Sequence, residues 1–457
     1  MTYIKPSIPK GTRDFLPEQM LRRQFVIETV KGIFEKYGYQ PLETPSIEKL
    51  EVLSGKYGEE GEQLIFKILK RGTEIDKIGK SIDSYTVKDL SDLVDFALRY
   101  DLTVPLCRVI AMYQNEITLP FKRYQIQPVW RGDRPQRGRY REFYQCDVDT
   151  IGSKSLMVDA ENIALVDEIL STLGFDKFKI RINNRKILTG IAEYANVIEK
   201  ENDISIAIDK LDKIGIDGVK EELKRRGIPE DAIATLLTVL EIKGEPESVL
   251  AQIKDILVNS ETGSAGVSEI EQLIENIRAM DVSHDHYAID LYLARGLSYY
   301  TGPIYESIVS EPNIGSLTGG GRYDELVGMF LGKEIPASGT TIGLERIIYV
   351  MTQLDMIPET KTKSQVLVTL FSEEMRTSSM TTIQTLRSNN INAEIFFDPK
   401  NLKKQFNYAN QKNIPYVIVI GPDEAKEDKV SVKEMKTGTQ TIIQRSELVD
   451  FLNKRFA

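Results

Sequence analysis

Between Arg131 and Arg141 the stretch WRGDRPQRGRYREFYQCDVDT (Trp130 to Thr150) sets five arginines within eleven residues, and Gln145, Asp147 and Asp149 follow at once. A guanidinium is a planar fork that can bond two oxygens of a phosphate or carboxylate together. Carboxylates and an amide carbonyl nearby accept hydrogen bonds from ammonium or N–H groups. Such a stretch suits a ligand with an anionic half and a hydrogen-bond-donating half. A charge run is ordinarily a solvated face. Here Trp130, Tyr140, Phe143 and Tyr144 alternate with the arginines, so some of the arginines share a strand face with aromatics.

Other chemistry is sparse. LTGGGRYDELVG holds Gly319, Gly320 and Gly321 but lacks the G-x-x-x-x-G-K-[ST] phosphate loop and the dinucleotide fingerprint, and its glycines signal close backbone approach to packing partners or a ligand. His284 and His286, in SHDHYAID, are the only histidines, and two histidines one residue apart with no third ligand in view favour surface residues over a metal site. No Ser–His or Cys–His nucleophile can therefore be assembled elsewhere. Cys107 and Cys146 are too few for a disulfide framework or a cysteine zinc site.

These residues need a sizeable scaffold. At 457 residues the chain exceeds what one core usually serves, which predicts two to four domains. The net charge of −9 argues against bulk coating of nucleic acid but leaves room for a local basic surface, because salt screens charges over roughly 8 Å. No apolar run reaches the roughly 18 residues of a membrane span. The opening MTYIKPSIPKGTRDFLPE has no apolar signal core, and with two cysteines a cytoplasmic location is the expectation.

Helical periodicity runs through MLRRQFVIETVKGIFEKY, with Phe25, Val26, Val30, Ile33 and Phe34 on one side and Gly38 as the stop. YQPLETPSIE reads as extended. Residues from Gly58 to Val94 suggest a hairpin and a mobile loop, and ALRYDLTVPLCRVIAMYQN a short strand running into a helix. FKRYQIQPVWRGD and RYREFYQCDVDTIG read as strands joined by the turn DRPQRG, an antiparallel hairpin with a basic tip. ENIALVDEILSTLG is a helix and KFKIRINN a strand. Residues 186–287 carry helical patterns with few aromatics, as an inserted module would. Aromatic strands resume at YAIDLYLARGLSYYTGPIYESIVS, MIPETKTKS is a linker, and QVLVTLF, INAEIFF and YVIVIG predict strands of a separate α/β domain.

Taken in order, these segments resemble the histidyl-tRNA synthetases, a family of class II aminoacyl-tRNA synthetases, over essentially the whole chain. FVIETVKGIFEKYGYQPLETPSIE is similar to motif 1, with Pro45 as its proline; the arginine-rich stretch is similar to motif 2 and ASGTTIGLERI to motif 3. LARGLSYYTGPIYE and LTGGGRYDELVG resemble the two histidine-specific signatures, and LRYDLTVP the amino-acid-binding segment. The resemblance implies an α+β catalytic domain with an antiparallel sheet over residues 1–185 and 288–358. It also implies a helical insertion at 186–287, a C-terminal α/β anticodon-binding domain at 364–457 and a homodimer through motif 1. The implied reaction joins L-histidine to its tRNA through a histidyl-adenylate, with ATP as substrate and Mg2+ on its phosphates.

The resemblance also implies roles. Arg131 and Arg295 would flank the α-phosphate as catalytic residues. Arg139 and Arg346 would hold the β- and γ-phosphates, with Gly319, Gly320 and Gly321 letting backbone approach the nucleotide. Asp101, Thr103 and Gln145 would bind the backbone end of histidine, and Asp149, Tyr299 and Tyr300 its imidazole. Arg134, Gln136 and Arg137 at the hairpin tip would meet the tRNA acceptor end. Two positions depart from the family pattern: Asp133 stands where glutamate is usual, and Ser298 where aspartate commonly precedes the two tyrosines. The rival is a non-catalytic, histidine-sensing paralogue. Short relatives of that type lose the anticodon domain and the signature arginine, whereas this chain retains Arg295.

Overall fold

The computed structural model describes residues 4–70, 94–136, 138–294, 299–358, 361–399 and 401–456. Their contacts form two compact units: residues 1–13 with 26–356, and residues 14–25 with 357–457.

The first unit is organised on an eight-stranded sheet. Its strands are β1 (Gln40–Pro41), β5 (Phe121–Trp130), β6 (Glu142–Ile151), β11 (Ala337–Ile342), β10 (Thr318–Arg322), β9 (Pro303–Val309), β7 (Phe178–Asn184) and β8 (Tyr287–Ile289), in that spatial order. The six central strands are antiparallel, as expected. Each edge strand, β1 on β5 and β8 on β7, pairs parallel, which makes the sheet mixed. The glycine run lies in β10, at the middle of this sheet. A smaller three-stranded sheet comprises β2 (Ile47–Lys49), β3 (Lys67–Leu69) and β4 (Val94–Leu98). A helix at Gly58–Gln63 precedes β3, and the rest of the hairpin-and-loop expectation falls on residues 71–93, outside the described residues.

One face of the large sheet is sealed by helices. Pro17–Lys36 buries Val26, Val30, Ile33 and Phe34, with Phe34 against the ring of Tyr124, while Phe25 is exposed. It stops where Gly38, at φ +80°, closes the turn on Glu35. Met157–Thr172 lies on the same face and buries Asp159 completely. Asp159 accepts from Ser338 at 2.7 Å and pairs with buried Arg322 at 2.5 Å, tying helix to sheet. Removing one member of such a pair costs about 3–5 kcal/mol, because the other is left charged and dry.

The helical segment begins at Arg185–Tyr194, capped by the Asn184 side chain on Lys186 N–H at 3.0 Å, and runs to Glu261–Ala279. The chain then re-enters the sheet at β8. His286 pairs with Asp167 at 2.6 Å, and its ring stacks near Phe178.

The second unit has a five-stranded mixed sheet in the order β13 (Ala393–Ile395), β12 (Val366–Val368), β14 (Tyr416–Val419), β15 (Lys429–Glu434), β16 (Gln440–Gln444). The first three strands are parallel and correspond to the apolar runs in the sequence. The last two form an antiparallel hairpin that those runs did not indicate. Val366, Val368, Ile418, Ile420, Val430 and Leu448 are among its core.

Candidate active site

On the opposite face of the large sheet, strand register arranges buried polar side chains in rows. Opposed residues of paired strands share a face. One row reads Arg123, Asp149, Gly339, Gly321, Ile304, Asn183, and the next Gln125, Asp147, Thr341, Gly319, Glu306, Arg181. Gln145 lies one step further along β6, opposite Gln127. Gly320 falls on the opposite face by alternation.

Asp149 is the hub of the first row. It is 3% exposed, accepts a hydrogen bond from Tyr323 at Oδ1, and has fully buried Arg123 2.7 Å from Oδ2. Besides this ion pair Oδ2 receives no aligned hydrogen bond from the described residues. Gly339 makes room for this carboxylate: a Cβ there would stand 2.0 Å from Asp149 Oδ1. Arg123 also donates to the Leu102 carbonyl at 3.3 Å, which brings the start of the Thr103–Met112 helix under the same guanidinium.

Three acids crowd here. Asp101 accepts from Val104 N–H at 3.1 Å and from Tyr57 at 2.9 Å. Burial pushes its carboxyl up, and the Val104 bond, Arg131, Tyr57 and Arg123 pull it back. Burial likewise raises Asp149, opposed by Arg123 and by the Tyr323 bond. Asp147, which accepts from Thr341, is pushed well above the ordinary range by burial, with Asp149 and Asp101 adding to the shift. Asp147 is the acid most disposed to keep its proton. The cluster favours a bound cation or N–H donor, since two arginines balance three buried carboxyls only if one stays protonated.

Around these acids the expected residues divide. Gln145 donates to Thr341 at 3.2 Å, while its buried Oε1 has no hydrogen-bond partner among the described residues. Thr103 is half-buried at the first position of its helix. Tyr299, Tyr300 and Tyr323 form a ring cluster, with Tyr299 edge-on to Tyr323 at 5.9 Å and 4.9 Å from Tyr300. It is Tyr323 that bonds Asp149, and Tyr300 packs in the apolar cluster with Ile304 and Leu106. Arg295 and Ser298 lie outside the described residues, as does Arg137.

The arginines form the other end. Arg131 donates from Nε to the Tyr100 carbonyl at 3.0 Å, its guanidinium lying 4.4 Å from the Tyr100 ring and 5.3 Å from that of Phe143. Arg139 pairs with Asp133 at 2.7 Å and keeps 45% of its side chain exposed. Arg346 donates to the Ser316 carbonyl at 2.6 Å and packs beside Gly138 and Gly315. Arg134 and Gln136 are exposed at the hairpin tip, apart from the acid cluster, where Gln136 and Arg139 exchange backbone hydrogen bonds. Among the described residues no group of three or more His, Cys, Asp or Glu side chains is placed to hold a metal ion. No helix among them is long and apolar enough to cross a membrane.

Arg123, Tyr323, Thr341 and Gly339 complete this face without having been singled out as binding residues from the sequence, and Asp147 was named there with Gln145 and Asp149 but given no separate role. Tyr323 and Gly339 stand inside the quoted segments LTGGGRYDELVG and ASGTTIGLERI. Arg123 was findable from the hairpin alone, since every pair of β5 and β6 is equidistant from Gln136 and 123 therefore faces 149.

Comparison with known proteins places this geometry in context. The sequence profile described as histidyl-tRNA synthetase matches residues 11–83 and 76–347, and one described as anticodon binding domain matches 365–455. A histidine–tRNA ligase of Bacteroides fragilis is 46% identical over 98% of this chain and 99% of its own length. One from Porphyromonas gingivalis is 45% identical over 96% of this chain and 97% of its own. The crystal structure of histidyl-tRNA synthetase from Nostoc sp. PCC 7120 superposes with a TM-score of 0.84 at 34% identity, covering 99% of this chain and 100% of that one. A structure described as an ATP phosphoribosyltransferase regulatory subunit/histidyl-tRNA synthetase from Bacillus halodurans shares the fold, with a TM-score of 0.71 at 21% identity, over 89% of this chain and 97% of that one.

Proposed function

The chain belongs to the histidyl-tRNA synthetase family, and from that premise we propose how its own residues divide the work of the reaction. It is an aminoacyl-tRNA synthetase that attaches histidine to its tRNA using ATP. The observation that carries the site reading is the buried trio of Asp147 and Asp149 on one sheet face with Asp101 at the start of the adjoining helix, continuous through Gln145 with the Arg131 end. Histidine has a cation and an N–H donor for the first and a carboxylate for the second.

Asp101, Thr103 and the unpartnered carbonyl of Gln145 receive the α-ammonium. Asp149, oriented by Arg123 and Tyr323, accepts the imidazole N–H, with Tyr299 and Tyr300 walling the ring. The histidine carboxylate is then aimed at the α-phosphorus of ATP. Arg131 and Arg295 stabilise charge developing on the phosphate oxygens, while Arg139 and Arg346 hold the departing diphosphate and Gly319 and Gly321, on the face of Asp147 and Asp149, let the nucleotide lie close. Positioning and charge stabilisation supply the rate, and no side-chain nucleophile takes part. Magnesium would arrive with the ATP phosphates and neutralise them. The terminal adenosine of the tRNA then takes the histidyl group and AMP leaves. Arg134, Gln136 and Arg137 meet the acceptor end, and the module at 364–457 reads the anticodon. The enzyme works in the cytoplasm as a homodimer built on the Phe25–Glu48 segment, which analytical ultracentrifugation would check.

ATP–diphosphate exchange with each of the twenty amino acids tests the core of this reading. Exchange driven by histidine alone is expected. Histidine binding without exchange would instead indicate a sensor. Truncation after Thr362 should keep exchange and lose most tRNA charging, provided sizing finds the dimer intact; full charging by the dimeric fragment would overturn the anticodon assignment.

A further inference from the structure

The opening segment around Arg13 touches the site at two places that no motif explains. Arg141 N–H donates to the Gly11 carbonyl at 2.9 Å, and the Arg131 N–H donates to the Arg141 carbonyl at 2.9 Å, so Gly11 continues the backbone ladder at the mouth of the arginine hairpin. Two residues later the Arg13 guanidinium lies 3.3 Å from the centre of the Tyr140 ring and bonds the Glu345 carboxylate at 2.5 Å. The Glu345 side chain is 7% exposed and stands at the first turn of the Leu344–Gln353 helix. Tyr140 directly follows Arg139, and Glu345 directly precedes Arg346.

A planar cation can stack on an aromatic ring with its face and bond a carboxylate with its edge at the same time. Arg13 uses both. One side chain therefore joins the neighbour of each arginine assigned to the β- and γ-phosphates, across two elements that the chain separates by about two hundred residues. Arg139 is anchored by Asp133, and Arg346 bonds the Ser316 carbonyl. Their spacing depends on the hairpin and the helix keeping register with each other.

We propose that Arg13 is a positioning residue for the triphosphate end: by clamping Tyr140 to Glu345 it holds Arg139 and Arg346 at the separation one polyphosphate requires. This rests on the reading of those two arginines as ATP ligands. Displacing groups that orient a reactant by about 1 Å costs roughly a hundredfold, so a clamp acting at one remove is worth about ten- to a hundredfold.

Steady-state ATP–diphosphate exchange on Arg13→Ala, Arg13→Lys, Glu345→Gln and Arg346→Ala tests it, with melting temperatures measured alongside. Arg13→Ala should raise KM for ATP about ten- to a hundredfold and change KM for histidine less than about twofold. Arg13→Lys should recover part of the loss, since an ammonium keeps the charge and loses the fork. Glu345→Gln, which preserves shape, carries the same expectation and serves if Arg13→Ala does not fold. An unchanged KM for ATP in Arg13→Ala and Glu345→Gln, with a raised one in Arg346→Ala, overturns the clamp and leaves the ATP reading standing. An unchanged KM in Arg346→Ala overturns the ATP reading itself. Equal rises for both substrates with a lowered melting temperature overturn the proposal in favour of general structural support.

Discussion

The two ends of the polar face are built on opposite plans. At the acid end Asp149, Arg123, Asp147, Asp101 and Tyr323 are all buried: Asp149 is held by Arg123 and Tyr323, Asp147 by Thr341, and Asp101 by Tyr57 and the Val104 N–H. At the arginine end Arg131 and Arg346 are half-exposed, Arg139 is 45% exposed, and their anchors are mainly backbone carbonyls and a single aspartate. A buried network fixes geometry before the ligand arrives and penalises any ligand that leaves a group unpaired, which suits discrimination. An open cluster of guanidiniums keeps its charge available to a multiply charged ligand and tolerates motion, which suits a substrate that must leave as diphosphate. Selectivity and catalytic charge are thus spatially divided, and variants should split accordingly.

The largest effect should come from the catalytic charge. Arg295→Ala is expected to lower the exchange rate by on the order of 10²–10³, with histidine binding by calorimetry nearly unchanged. Near-normal exchange in the folded variant would remove Arg295 from the reaction. Next, Asp149→Ala should raise KM for histidine by about a hundredfold and alter KM for ATP far less, on the scale of a lost charge-assisted bond. Parallel losses for both substrates would dissolve the division between the ends. A milder change behind the pocket, Arg123→Lys, keeps the charge and loses the fork to Leu102. About a tenfold rise in KM for histidine is expected, with stability lower by about 1–3 kcal/mol by denaturant titration. No change in either would make the ion pair with Asp149 incidental.

Asp147→Asn should barely affect turnover and should change stability in a pH-dependent way. The folded-state pKa of Asp147 is raised well above the unfolded value of about 3.9, chiefly by burial. Between those two values unfolding releases its proton, so the wild type loses stability as pH rises through that window. Asparagine has no proton to release. The melting-temperature advantage of Asp147→Asn should therefore be smallest near pH 4 and widen towards pH 7. A gap that narrows with rising pH would mean that Asp147 is a stabilised anion.

Much of this division was legible in the sequence, for reasons particular to each residue. The hairpin and its basic tip were visible because aromatic and β-branched residues flank a Pro- and Gly-bearing turn. Asp149 and Gln145 followed from alternation along one strand. The acid end's inner shell was not visible, because a fully buried Arg123 looks like any surface arginine until the register sets it opposite Asp149. Tyr299 and Tyr300 drew attention as a pair, yet the phenol on Asp149 belongs to Tyr323, two strands further along the chain. β1 and β8 lie in stretches that read as extended or strand-like, but at two and three residues they are too short to show that they pair parallel at the sheet edges. In the second unit, β15 alternates apolar with polar residues and β16 has only Ile442 and Ile443 as apolar residues, so neither gave an apolar run. Only their cross-strand pairing reveals them.

The parallel pairing of β7 with β8 bears on how separable the helices between them are. Because Ile180 is level with Tyr287, the chain leaves this sheet edge at Asn184 and must come back about four residues lower, some 13 Å along the strand direction. Residues 185–286 are therefore the return crossing that the sheet topology demands. A designer wishing to dispense with these helices would have to supply a bridge of comparable reach and handedness. A short loop would reverse β8 and turn the edge antiparallel. Exchanging this segment between relatives is a matter of fitting a span, with Asn184 and Tyr287 as its abutments.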